Sequence, residues 1–381
     1  MSLGKKRLAS GASLLGLSLL LSAAVGEVVL RLVPSLLPFD VRESLQAKSE
    51  DYGVSHPYIG YLHKPLTTGV ISGIDFRAVH HTDGFGFRNP WPWPRKADIV
   101  ALGDSLVFGY GVEDDQAWPA ILARSLPHNR IMNFGLIGAG PQQYLRIYET
   151  FATKLHPKLV LIGAFMTNDF WDADMFDRWS NSAVGGNFMV WKACGRFEFN
   201  WKHPLRGIKG ELKLHSYLFN LFQAGYDLWQ WGKPRTLFFA NGARLQVSPN
   251  RLDGAAIIAR PERREFRLAL DAFESIQRIA LKQGSHVVVV FQPSKEQVYL
   301  PLLGLDPPDP SHGLSEALGK QGIDFLDLTP AFREHAKRGE CLFYEQDGHP
   351  NVRGYALIAE LLASHIKENT NKYGLEIASK S

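Results

Sequence analysis

The sequence predicts an α/β fold with a mostly parallel sheet covered by helices on both faces. Three features point there. Short apolar runs lack polar alternation and read as strands buried on both sides. Helical stretches alternate with those runs. Glycine-rich turns close the runs. The first strand is Ile99-Val100-Ala101-Leu102-Gly103, which leads into Asp104-Ser105 and an apolar segment ending at Gly109. A helix is expected at about 116–125. A second strand over 131–134 runs into Gly135-Leu136-Ile137-Gly138-Ala139-Gly140, and a helix at 141–155 carries proline in its first turn. The third strand, 159–165, ends at Thr167-Asn168-Asp169. After an interruption, a helix over about 261–283 feeds a strand at 287–291. Helices near 296–303 and 313–321, a short strand at 324–327 and a helix over 351–368 complete the body.

With 381 residues, 45% of them hydrophobic, the chain has ample material for a full core. Its 42 basic and 38 acidic residues leave a net charge of +4 with no dense basic patch beyond the N-terminus, so no nucleic-acid partner is expected. Cys194 and Cys341 lack metal-ligand spacing. They either pair in an oxidising compartment or stand as unrelated thiols. His156 and His286 have no i,i+4 partner histidine, and the glycines of 135–140 are misspaced for a dinucleotide loop. No metal and no cofactor are expected.

At the N-terminus, Lys5-Lys6-Arg7 precedes the uncharged run 8–25, the pattern of a membrane-directing segment with positive charge held inside. Because 27–33 continues as an amphipathic helix, an uncleaved signal anchor is expected. Cleavage near Ser22-Ala23-Ala24 and a buried soluble helix are the competing readings. An anchor or a cleaved signal would each place the body outside the cytoplasm. The expected organisation is a basic stub and anchor helix at 1–33, a strap at 34–96, an α/β core at 97–170 and 261–381, and an insertion at 171–260. Pro90-Trp91-Pro92-Trp93-Pro94 forces an extended path, and the strap's aromatics should pack on the body rather than stand in water. The insertion holds Trp171, Trp179, Trp191, Trp201, Trp229 and Trp231 of the chain's nine tryptophans, and 237–247 reads as strand, Asn-Gly turn and strand. Leaving from a strand end, it is expected to form a lid or wall over a site.

Four blocks fall at strand or helix ends: Gly103-Asp104-Ser105-Leu106, Asn133-Phe134-Gly135-Leu136-Ile137-Gly138, Asn168-Asp169, and Asp347-Gly348-His349-Pro350-Asn351. Serine is a weak nucleophile until a base takes its proton, and histidine suits that role near neutral pH. A carboxylate would orient the imidazole. Asp104 reads as a turn-organising residue, and Asp169 as one that orients the Asn168 loop.

In order and spacing the blocks resemble the SGNH/GDSL hydrolase superfamily, over about 97–366 less the insertion. Gly84-Phe85-Gly86-Phe87-Arg88 and Pro293-Ser294-Lys295-Glu296-Gln297-Val298-Tyr299 look like extracytoplasmic bacterial members with an N-terminal membrane helix. The resemblance implies a flavodoxin-like three-layer sandwich and hydrolysis or transfer of an acyl ester. Ser105 would be the nucleophile, His349 the base and Asp347 the acid, with an oxyanion hole from the backbone N–H groups of Ser105 and Gly138 and the side-chain amide of Asn168. The superfamily's usual acid lies three residues before the histidine. Here that position is Gln346, and the acid is two before, a spacing found in polysaccharide O-acetyltransferase relatives. An esterase acting on O-acyl esters of a small molecule, glycan or lipid is expected. An O-acyltransferase and a non-catalytic binding protein retaining the fold are the alternatives.

Overall fold

The structure is a computed structural model describing residues 2–38, 41–42, 53–182, 185–194, 208, 212, 215–311 and 313–376. The chain divides into two compact units. One comprises Met1–Asp51 and Ala193–Gln230, the other Tyr52–Lys192 and Trp231–Ser381. The first unit opens with helix α1 (Ser2–Leu32). Within it, Ser13–Leu32 is a 20-residue stretch of mean hydropathy 2.0, long and apolar enough to cross a membrane. Its leucines, Leu14 through Leu21, are exposed.

The second unit begins with two antiparallel hairpins. Strand β1 (Val54–His56) pairs with β2 (Gly60–Leu62), and β3 (Thr68–Ser72) with β4 (Arg77–His81). The β3–β4 hairpin goes beyond the strap expected from sequence. Its residues are mostly exposed or half-exposed, so its apolar pattern is too thin to read without its partners. The aromatics that follow do pack on the body: Phe87 and Trp93 lie edge-on to Phe134. Asp83 organises that stretch, accepting the Phe85 and Phe87 N–H groups on one oxygen and the Trp93 indole N–H on the other.

The α/β body continues with β5 (Ile99–Gly103), α2 (Ser105–Phe108), α3 (Trp118–Ser125), β6 (Ile131–Gly135), α4 (Pro141–Thr150), β7 (Leu159–Ala164), α5 (Asp169–Ser180) and α6 (Phe188–Cys194). Helix α7 (Tyr217–Trp231) lies almost wholly in the first unit. Then come β8 (Arg235–Phe238), β9 (Arg244–Val247), α8 (Asp253–Ile258), α9 (Arg264–Lys282), β10 (His286–Phe291), α10 (Lys295–Tyr299), α11 (Leu314–Lys320), β11 (Asp324–Asp327), α12 (Thr329–Lys337), α13 (Val352–Glu368) and α14 (Thr370–Tyr373). The helix expected to reach 303 ends at Tyr299. Pro301 brings no N–H, and a 3₁₀ turn replaces the last α-turn. The helix expected over 141–155 stops at Thr150 and continues as a 3₁₀ turn. β8 and β9 form the expected hairpin around Asn241-Gly242. Cys341 has no disulfide partner among the described residues; the Cys194 side chain, and with it the expected choice of pairing, lies outside them.

The five central strands are all parallel, in the order β11-β10-β7-β5-β6. Alternate residues point to opposite faces. Val100, Leu102, Ile162 and Val289 join one buried cluster with Tyr144, Phe170 and Phe273 of α4, α5 and α9. Ile99, Ala101, Leu161 and Val288 join another with Leu122, Leu357 and Ile358 of α3 and α13. Both faces are therefore covered, which is why these strands read as unbroken apolar runs. This is a flavodoxin-like three-layer sandwich. Its chain order reverses at β5, which lies between β6 and β7, and the crevice at the carboxyl end of such a strand is where ligands bind in doubly wound sheets.

Helix α2 is pressed onto that crevice. A Cβ added to Gly135 would lie 2.1 Å from the Phe108 backbone nitrogen, and one added to Gly103 would lie 2.2 Å from a Val107 methyl. Neither position has room for a side chain. Gly135→Ala is expected to lower the unfolding free energy by about 1–3 kcal/mol in chemical denaturation. Gly254→Ala, in α8 with nothing within 4 Å of the added Cβ, should leave it unchanged or raise it slightly.

Candidate active site

Ser105 is the first residue of α2. Asp104 caps the helix, its Oδ1 accepting the Leu106 N–H at 2.9 Å, and Gly109 closes it in the left-handed region at φ +87°. As the first helical residue, Ser105 has a backbone N–H with no intrahelical acceptor. His349 stands on the loop before α13. Asn351 caps that helix, accepting the N–H groups of Arg353 and Gly354, while its own amide donates to the carbonyls of Cys341 and Phe343. Asp347-Gly348-His349-Pro350-Asn351 thus holds a helix cap and the candidate histidine side by side.

The structure brings Ser105, His349 and Asp347 into one hydrogen-bonded line. Ser105 Oγ lies 2.8 Å from His349 Nε2, and His349 Nδ1 lies 2.7 Å from Asp347 Oδ1, which also accepts the His349 backbone N–H at 2.8 Å. A carboxylate on Nδ1 fixes the proton there and leaves Nε2 as the acceptor for the serine hydroxyl. Burial pushes the Asp347 carboxyl up, but its bonds to His349 and the nearby Lys295 charge outweigh that and hold it below the usual range. Tyr110 covers one side of the imidazole with ring centres 4.4 Å apart. Ser105 is only 8% exposed, whereas the His349 and Asp347 side chains retain 23% and 25% exposure.

Two residues that the sequence reading passed over hold the loop carrying Asp347. Lys295, buried at the start of α10, donates from Nζ to three successive carbonyls: Glu345 at 3.3 Å, Gln346 at 2.8 Å and Asp347 at 2.9 Å. From the other side, Asp75 Oδ2 accepts the backbone N–H groups of Gln346 and Asp347 at 2.6 and 2.9 Å. The loop's peptide dipoles are therefore gripped by a cation on their oxygens and an anion on their nitrogens. Burial brings the Lys295 ammonium down to about 8, against the partial support of Glu296. Lys295 lies in a segment already noted for its resemblance; Asp75 carries no local signal.

The residues expected to bind an oxyanion lie at the same sheet edge. Gly138, at φ +75°, follows β6. Its ideal Cβ position lies 3.2 Å from the Met189 sulfur and 3.6 Å from the Tyr61 hydroxyl, and Tyr61 itself donates to the Ile137 carbonyl. Lys192 of α6 reaches in, donating to the Gly138 carbonyl at 3.0 Å and pairing with Asp172 at 2.6 Å. The described start of the insertion thus closes on the Gly138 loop. The Asn168 amide nitrogen faces two carboxylates, Asp104 and Asp172, both at 3.3 Å, and its oxygen is buried without a partner. Burial, with the nearby Asp172 charge, pushes the Asp104 carboxyl up to about 6. Asp169 is pushed well above its usual range by burial and by the charge of Asp104, and it ties the loop through the Tyr144 hydroxyl and the Phe165 N–H.

Over residues 256–379 the chain matches the family model described as SGNH hydrolase-like domain, acetyltransferase AlgX. No curated protein matches it in sequence. Among solved structures it is similar to a G-D-S-L-family lipolytic protein from Desulfitobacterium hafniense at 14% identity, with 71% of this chain and 99% of that one covered and a TM-score of 0.38. A member of the same lipolytic family from Veillonella parvula gives 15% identity, 71% and 98% coverage and a TM-score of 0.36. A catalytic mutant of an acetylxylan esterase from Geobacillus stearothermophilus gives 13% identity, 74% and 97% coverage and a TM-score of 0.36. The family match begins within α8, runs past α14 and takes in both members of the Asp347–His349 pair, so this part of the chain is similar to an SGNH hydrolase-like domain.

Proposed function

We propose that the chain is a membrane-anchored, extracytoplasmic enzyme that moves an acyl group from a carboxylic ester to a hydroxyl acceptor through an acyl-Ser105 intermediate. The observation that carries this reading is the Ser105–His349–Asp347 line. Ser105 Oγ attacks the acyl carbonyl as its proton passes to His349 Nε2. The tetrahedral intermediate collapses when His349 returns that proton to the departing alkoxide. An acceptor hydroxyl then gives its proton to His349 and attacks the acyl-serine, and Ser105 recovers its proton as the new ester leaves. The Ser105 and Gly138 N–H groups and one Asn168 N–H, released from its long contact to a carboxylate, would receive the oxyanion. Lys192 would position the Gly138 loop, and Lys295 with Asp75 would position Asp347.

A hydroxyl acceptor, on a glycan or a lipid, is supported by the acetyltransferase description of the family model. Transfer to water is the second reading, favoured by the partial exposure of His349. The anchor is supported by the exposed apolar stretch of α1 and the basic residues before it.

A fluorophosphonate should place one adduct on Ser105, seen by mass spectrometry of the full chain, and none on the Ser105→Ala variant. A folded chain that takes no adduct would move the binding-protein reading to the front. With an acetyl ester as donor, added glycan hydroxyls should appear as O-acetyl product at the expense of free acetate; free acetate alone would make the chain an esterase.

Asp347→Asn should lower kcat/KM on the order of 10³–10⁴-fold. The exposed Gln346 side chain makes no hydrogen bond that holds the loop, so Gln346→Ala should change the rate by less than about threefold. Equal losses would reassign the acid.

Lys295→Met leaves three carbonyls without their donor and should lower kcat more than it raises KM. The pH dependence has a definite sign. A lysine lowered from 10.5 to about 8 in the fold binds fewer protons than the unfolded chain between those values, so stability rises with pH across that window. Unfolding measured from pH 8 to 10.5 should therefore shift in favour of wild type over Lys295→Met by as much as ~3 kcal/mol. A flat difference would mean that Lys295 keeps its proton across that window and that burial does not lower its ammonium.

A further inference from the structure

Helix α7 has its surface inside out. Its polar side chains Asn220, Gln223, Asp227 and Gln230 recur at intervals of three, four and three residues and so form one stripe. Asn220, Gln223 and Asp227 are only partly exposed, Gln230 at the end of the stripe is exposed, and Gln223 Nε2 donates to Asp227 Oδ1 at 2.8 Å. The broad apolar face turns outward instead: Phe222 is 70% exposed, Leu228 52% and Trp229 77%, with Tyr226 at its margin 54% exposed. A helix in water shows the reverse. Asp227 is the single charged residue in its fifteen.

The start of α7 is fixed to α1. Glu27 Oε2 accepts the Ser216 hydroxyl and the Leu218 N–H, and Oε1 accepts the Tyr217 N–H and Arg31 Nε. The Arg31 guanidinium also donates to the His215 carbonyl and lies 5.1 Å from the centre of the Tyr217 ring. Glu27 sits five residues before the end of the apolar stretch Ser13–Leu32, about 7 Å along the helix axis. At that depth an ionised carboxylate needs partners, and the start of α7 supplies them.

We propose that α7 is a second membrane contact, lying in the plane of the bilayer that α1 crosses, with the Phe222–Trp229 face in the lipid and the polar stripe turned away from it. At about 22 Å the helix is too short to cross a hydrocarbon core of about 30 Å and fits the interface instead. Tryptophan and tyrosine on an apolar, nearly uncharged face are the composition of that layer. Lipid is the occupant because the start of α7 is tied by Glu27 and Arg31 to the end of a stretch long and apolar enough to cross a membrane, and because the outward face itself carries no charge. The inference rests on the anchor reading of α1, not on the acyl-transfer chemistry.

The test uses the full chain in phosphatidylcholine–phosphatidylglycerol vesicles. With Cys194 and Cys341 replaced by serine, bimane is attached at Leu20→Cys, Phe222→Cys, Trp229→Cys or the exposed body position Lys337→Cys. Brominated phosphatidylcholine should quench the probes at 20, 222 and 229 roughly twofold and leave 337 unchanged. Photolabelling of the unsubstituted chain with a diazirine phosphatidylcholine, read by peptide mapping, should mark 217–230 and guards against variants that misfold. Quenching at 20 with none at 222 or 229, and no lipid adduct on 217–230, would overturn the inference and leave the anchor standing. A probe at 20 that lipid does not quench would remove the anchor and this inference together.

Discussion

Everything at the candidate site depends on the seating of one helical turn. Ser105–Phe108 rests against the ends of β5 and β6 with no side chain beneath it, because Gly103 and Gly135 carry none. Its far end is held by Arg88, a buried guanidinium that donates to the carbonyls of Phe108, Gly109 and Val112 and pairs with Asp114 at 2.6 Å. Those carbonyls close a turn too short to satisfy them internally. A charged donor in low dielectric strengthens each bond, and removing it would take a donor from three carbonyls together, of which Gly109 alone also accepts the Val112 N–H, at 3.4 Å, among the described residues. The position of Ser105 is thus set by contact below and by hydrogen bonding behind.

The same logic governs the opposite side of the relay. The loop with Asp347 and His349 lies 244 residues downstream of Ser105 and reaches it across a 2.8 Å hydrogen bond. A loop that must hold two side chains in register cannot rely on its own backbone. Lys295 and Asp75 supply the missing rigidity through the peptide groups, leaving the Asp347 side chain free to bond only His349. A backbone held by opposite charges is also insensitive to the identity of the side chains along it. This is consistent with an exposed Gln346 standing where the superfamily's acid is usual.

Much of this was legible in the sequence because the relevant signals are local. Apolar runs marked the five parallel strands, and the serine, asparagine and histidine blocks each announce a strand end or a helix cap. What was not legible is pairing over distance. Asp75 and Arg88 precede the first central strand, and nothing near them in the chain says that their partners lie at 346–347 and 108–112. Lys295 stood in a segment whose resemblance was noted, but a lysine in sequence reads as solvated surface until three carbonyls are seen around it. The aromatic insertion gave a signal of the wrong kind. Its tryptophans read as a wall over the site; Met189 and Lys192 stand beside the Gly138 loop, and the α7 aromatics Phe222, Tyr226 and Trp229 are exposed. Composition cannot tell the two apart; only the direction of the polar stripe does.

The strap has a consequence for where the α/β body begins. A fragment starting at Ala97 would contain all four blocks and every residue assigned to the chemistry. It would lack Asp75, Asp83 and Arg88, and with them the carboxylate under the acid loop, the organiser of the aromatic cover on Phe134 and the donor behind the serine turn. Such a fragment would carry the sequence signature of an enzyme without the means to hold it in shape. Asp75, Asp83 and Arg88 all lie in the second compact unit, which begins at Tyr52, just before the first hairpin.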